Sequence, residues 1–215
     1  MLKNLTGHCS IYLAAIIATA LLTGHVSISS PDEISADHEQ PGNGGVVIER
    51  IAPERIGGQG YQLVYRVNVP ISTYWKFKTD FNNSFLISNK FILDHRFIGQ
   101  NGNIAITETQ YTYRPDVFFR WQTRLLPERF RLAFSLLNPG ACKQKYHHGY
   151  IQLESEGKTT RVTQVAYFDF WGATFWVYNP WRGGMQDFLS YTARWEQATA
   201  IRLKNRYQEE KNAKK

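Results

Sequence analysis

GMQDFLSYTARWEQATA, residues 184–200, is the stretch whose reading decides the fold. Within it Met185, Phe188, Thr192, Trp195 and Thr199 recur at spacings of 3, 4, 3 and 4. That is one stripe of a long amphipathic helix starting near Gly184. A helix striped on one side must bury that side against another element. The sequence upstream therefore decides what the helix packs on.

Working back from the helix, the helical period gives way to strict alternation. Thr159–Phe170 and Tyr146–Ser155 read as two strands joined at Glu156-Gly157-Lys158. Arg129–Leu137 sets Phe130, Leu132, Phe134 and Leu136 against Arg129, Arg131, Ala133 and Ser135, and Asn138-Pro139-Gly140 closes it. Val117–Leu126 puts Phe119, Trp121, Thr123 and Leu125 on one face, between turns at Pro115-Asp116 and Pro127-Glu128. Lys90–Gly99 and Asn103–Tyr113 pair through Asn101-Gly102, two residues that tolerate positive φ. Two strands leave their inward face open. One offers Ala105, Thr107, Thr109, Tyr111 and Tyr113, or the alternate row from Ile104. The other offers Val162, Gln164, Ala166, Phe168 and Phe170, or Thr163, Val165, Tyr167 and Asp169.

Further upstream, Tyr61, Leu63, Tyr65, Val67 and Val69 alternate with polar residues in a strand that Pro70 ends. Ser72 or Thr73 is placed to cap a short helix through Trp75, Phe77 and Phe81, which Asn82-Asn83 stops. A second short helix fits before Asn89. The predicted fold class is α+β: about six to seven antiparallel strands in meander order, with one long C-terminal helix. A twisted meander with one apolar face needs a cover, and the last helix is the long amphipathic element available. The sheet must wrap around it.

The chain divides into residues 1–30, 31–58, 59–201 and 202–215. Residues 1–30 carry a twelve-residue apolar run, IYLAAIIATALL, followed by small and polar residues, and read as a secretory signal peptide. The alternative is an uncleaved N-terminal anchor. Either predicts a periplasmic or secreted protein. Residues 31–58 are rich in Pro, Gly and charge and read as a flexible lead, with Val46–Ile51 apolar enough to add an edge strand. Residues 202–215 form a charged tail.

Composition narrows the class. The 215 residues include 13 Phe, 12 Tyr and 6 Trp, which excludes a disordered chain. Two cysteines exclude a disulfide framework, and loss of residues 1–30 would leave Cys142 alone, as a small buried hydrophobe. The net charge of +7 suits contact with anionic lipid or polymer. Nucleic acid is not expected, since the basic residues form no tight run and export denies access.

Three stretches carry a likeness to a known family: Val67-Asn68-Val69-Pro70-Ile71 with Trp75 and Asp80; Gly157-Lys158-Thr159-Thr160-Arg161-Val162-Thr163; and Asn179-Pro180 with Gly183-Gly184 and Phe188-Leu189. With the order of elements, they resemble the START/SRPBCC superfamily, the helix-grip fold of pollen-allergen-like proteins, and its exported bacterial members in particular. The likeness spans roughly residues 60–200. It implies a cavity between sheet and helix that holds an apolar ligand, and it implies no reaction. The inward aromatic rows then become candidate ligand contacts: Phe119, Trp121, Phe130, Phe134, Phe188 and Trp195, with Thr192 beside them on the helix. Tyr111 and Tyr113 are placed to orient a polar end. These rings either line the space or fill it.

The chemistry-bearing residues are sparse. His147 and His148 are adjacent on a strand, point to opposite faces and do not share a metal; no metal or cofactor is expected. No catalytic residue is assigned. Three functions remain. The first is an exported binding protein for a hydrophobic small molecule or lipid. The second is a cyclase or dehydratase using His95, a tyrosine or Asp169. The third is an envelope protein with a filled core, whose aromatic junction, residues 168–181, touches a partner or a membrane surface.

Overall fold

The computed structural model describes residues 45–82, 84–171 and 184–213, with helix side chains described as far as 206. The expected signal peptide, residues 31–44 of the lead and most of the aromatic junction lie outside these residues. Among the described residues no helix is long and apolar enough to cross a membrane.

The strands are β1 (Val46–Ile51), β2 (Gln59–Val67), β3 (Ile92–Asn101), β4 (Ile104–Tyr111), β5 (Arg114–Leu126), β6 (Arg131–Leu136), β7 (Gln144–Glu156) and β8 (Thr159–Phe170). They form one antiparallel sheet in the order β1-β2-β8-β7-β6-β5-β4-β3. The expected meander runs from β3 to β8. The hairpin β1–β2 is added beside β8, so the sheet has eight strands and its first edge comes from the lead segment.

Between β2 and β3 the chain crosses to the far edge through α1 (Ile71–Thr79) and a 3-10 turn at Ser84–Ser88. Neither Ser72 nor Thr73 caps α1. The N-cap is Pro70, whose carbonyl accepts from the Thr73 and Tyr74 N–H groups at 3.0 and 3.1 Å. Proline has no side-chain acceptor, so no side-chain cap is made at this N-cap. The helix buries Tyr74 and Phe77 rather than Trp75.

The turn expected at Pro115-Asp116 falls three residues earlier, at Thr112-Tyr113. Register with β4 jumps from Gln110↔Phe118 to Tyr111↔Arg114, leaving residues 115–117 bulged. Pro115 sits in that bulge, where its missing N–H takes no bond from β4.

The long helix, α2 (Gly184–Ala213), continues through the charged tail. Its buried positions are Ala193, Glu196, Thr199, Ala200 and Leu203, while Phe188, Thr192 and Trp195 are half-buried beside them. The main core lies where α1 and α2 meet β2, β7 and β8, around Tyr65, Val67, Tyr74, Phe77, Leu153 and Val162. Gly149 of β7 is fixed by close approach: a Cβ there would lie 2.0 Å from the Val165 carbonyl oxygen and 2.8 Å from the Phe134 ring. Phe134, Gly149 and Ala166 are register partners across β6, β7 and β8, so one ring lies over two small residues.

Candidate functional site

The concave face of the sheet does not close on the helix. A cavity of about 340 Å³ remains between β4–β8, the first half of α2 and the segment after α1. Strand alternation supplies its floor: Thr107 and Thr109 from β4, Phe119, Trp121 and Thr123 from β5, Leu132 and Phe134 from β6, and Gln164, Ala166, Phe168 and Phe170 from β8. The helix contributes Met185, Phe188, Leu189 and Thr192. The structure thus chooses the Ala105 row of β4, whose Ala105, Thr107 and Thr109 are buried, and the Gln164 row of β8.

Of the nine residues singled out as ligand contacts, Tyr111, Tyr113, Phe119, Trp121, Phe134, Phe188 and Thr192 lie on the cavity wall. Phe130 and Trp195 do not. Phe130 precedes β6 and has a left-handed φ of 47°, which takes it off the strand's alternation. Its ring packs edge-on against Trp75 at 5.6 Å. Trp195 sits on the flank of α2 against Phe77 and Phe85, and its indole N–H donates to Ser88 Oγ at 3.1 Å.

One corner of the wall is polar. His147 of β7 lies among Trp121, Phe134 and Phe168, with ring centroids at 4.9, 6.2 and 5.2 Å. Its Nδ1 is 3.1 Å from Gln144 Oε1. Burial, with a smaller push from His148, drives the imidazole pKa down to about 3. The ring is therefore neutral at any ordinary pH. Burial pushes the Tyr111 hydroxyl up to about 12, so it too is uncharged. Tyr111 and Tyr113 stack at 5.3 Å. Across the cavity the buried Thr192 Oγ1 has no hydrogen-bond partner among the described residues. His148 points to the other face, 3.2 Å from Glu54.

Two residues named for an enzymatic reading are elsewhere. Asp169 alternates with Phe168 and Phe170, so it faces away from the cavity and pairs with Lys145 at 2.8 Å. His95 spans Thr109 Oγ1 and the Phe81 carbonyl, both at 3.0 Å, and burial lowers its pKa. Cys142 is buried and free, its thiol pushed up by burial to about 11. That thiol is unreactive at neutral pH.

The sequence reading missed a charged cluster behind the wall. Glu196 of α2 accepts from the Tyr65 and Tyr74 hydroxyls at 2.5 Å each and from Lys78 Nζ at 2.7 Å. Gln164 Nε2 donates to the Tyr65 hydroxyl at 2.6 Å. Burial pushes the Glu196 carboxyl up; Lys78 and the two hydroxyls outweigh it and hold the group below its usual value. Lys78 also reaches the cavity wall, where it is the one residue with a full charge among the described lining residues. The carboxylate answers that charge, so the pair is neutral overall.

No family model and no curated protein matches the chain. Solved structures do. A START superfamily protein from Mycobacterium smegmatis superposes with a TM-score of 0.53 at 10% identity, covering 67% of this chain and 98% of its own. A point mutant of norcoclaurine synthase from Thalictrum flavum, in complex with a transition-state analogue, superposes at 0.50 with 12% identity, covering 74% and 98%. Such identities speak for architecture alone. A single antiparallel sheet wrapped around a long C-terminal helix, with these structural neighbours, is the helix-grip fold that START/SRPBCC proteins have.

Proposed function

We propose that the protein binds a hydrophobic small molecule in the cavity between sheet and helix and performs no chemistry on it. The observation that carries this reading is an unfilled space of about 340 Å³ walled by Phe119, Trp121, Phe134, Phe168 and Phe188. Apolar burial of a ligand there contributes about 25 cal/mol per Å². A filled core is disfavoured by the same space. The volume lies at the low end of the range of about 300–1,000 Å³ seen for ligand pockets, so a compact ring system fits better than a two-chain lipid. Of the groups first named for catalysis, a tyrosine is present on the wall as Tyr111 and Tyr113, but His95 and Asp169 are held by other partners, which weighs against the cyclase alternative. The apolar run in residues 1–30 supports action outside the cytoplasm, in the periplasm or secreted, and sequencing the N-terminus of protein recovered from cell fractions tests that part.

Native mass spectrometry of gently purified protein, with uptake of the apolar dye N-phenyl-1-naphthylamine, tests the binding reading. A bound small molecule or saturable dye uptake is expected. The variant Thr192→Phe, which places a ring in the space, is expected to weaken dye binding at least tenfold. A ligand-free protein that takes up no dye sinks the proposal.

A further inference from the structure

The cavity reading says that a ligand is apolar; the polar corner says what polar group it carries. The contact between His147 Nδ1 and Gln144 Oε1 uses one end of each side chain. Gln144 is 3% exposed, both side chains line the cavity, and among the described residues neither makes a second side-chain hydrogen bond. A neutral imidazole that donates from Nδ1 keeps a lone pair on Nε2, and the amide keeps its two N–H donors. The opposite amide orientation only exchanges the roles, leaving an imidazole N–H and an amide oxygen. In both arrangements the two lining side chains keep one donor and one acceptor for whatever fills the cavity. The surroundings are rings: Trp121, Phe134 and Phe168.

From this juxtaposition we infer that His147 and Gln144 form a hydroxyl-reading site, and that the ligand is an uncharged aromatic molecule bearing a phenol- or enol-type hydroxyl. A hydroxyl both donates and accepts, so a single group satisfies both side chains at once. A carboxylate has no proton to give the acceptor, whether that is the imidazole lone pair or the amide oxygen. It would also enter a wall whose single ammonium, on Lys78, is already matched by Glu196 at 2.7 Å. A bare hydrocarbon would leave both polar ends dry and unpaired, which costs more than the hydrogen bonds themselves contribute. His147 acts here as a specificity residue for binding, with no proton transfer.

This inference rests on the binding reading above, and the experiment separates the two. Purified full-length protein is titrated with 2-naphthol and with naphthalene, which share a ring frame and differ by the hydroxyl, each displacing N-phenyl-1-naphthylamine. The expected result is about a tenfold preference for 2-naphthol, the size of one well-made hydrogen-bond pair. In His147→Phe the preference falls to about one while naphthalene still binds, which also shows that the variant is folded. Gln144→Met is expected to cut the preference several-fold, and it decides the matter if His147→Phe does not fold. Equal binding of the two probes by the unaltered protein overturns the hydroxyl site and leaves the cavity reading standing. A preference that survives both substitutions overturns the assignment to His147 and Gln144. Failure of dye and both probes to bind overturns the cavity reading itself.

Discussion

His147 keeps its proton off down to about pH 3, whereas an exposed histidine titrates near 6.5. The sign of the consequence is fixed by linkage. Between those values the unfolded chain takes up a proton that the folded chain refuses, so stability is full above about pH 6.5 and falls as pH drops toward 3. The slope from this one group is up to about 1.4 kcal/mol per pH unit. Urea unfolding at several pH values is expected to show that slope between about pH 6 and 4. His147→Phe should make it shallower, with His95 still contributing; an unchanged slope would mean that the His147 ring is protonated in the folded protein. At this scale the sequence was legible in part. Adjacency on a strand placed His147 and His148 on opposite faces, but nothing near in sequence marked His147 as the inward one. Its ring neighbours Trp121, Phe134 and Phe168 come from three other strands.

The long helix shows what pattern reading captures at the level of an element, and where it stops. Periodicity located α2 and its start. The stripe read from spacing, Met185, Phe188, Thr192, Trp195 and Thr199, lines the cavity at its first three positions and is buried at Thr199; Trp195 lies on the flank, and beside the stripe the fold also buries Ala193, Glu196 and Ala200. A hydropathy pattern assigns a glutamate to solvent. This one is buried because Tyr65, Tyr74 and Lys78 reach it from β2 and α1, more than 110 residues away in sequence. Strand boundaries were easier because they depend on neighbours: β8 matches its expected range residue for residue. Phe130 was misplaced because a single left-handed residue ended the alternation. The clamp carries a prediction. Glu196→Gln removes the charge that answers Lys78 and should cost about 3 kcal/mol, as expected when a buried pair loses one partner. Equilibrium denaturation measures it, and a loss below about 0.5 kcal/mol would show that the helix is held by packing alone. The depressed pKa of Glu196 gives the same contact an acid limit. Its stabilisation is present above about pH 4.5 and is lost as pH falls through the lower folded value.

At the scale of the whole molecule, the sheet's strand order sets a sequence of events. β2, residues 59–67, pairs with β8, residues 159–170, and every strand between them in sequence lies on the far side of β8. The meander β3–β8 can assemble from neighbour to neighbour; β1 and β2 have no place to dock until β8 exists. The part of the domain that leaves the ribosome first is therefore the part that settles last. Closing a loop of about one hundred residues before any reward puts refolding in the millisecond-to-second range. Such a late closure is a built-in delay: the open edge of β8 stays unpaired until both ends of the domain have arrived.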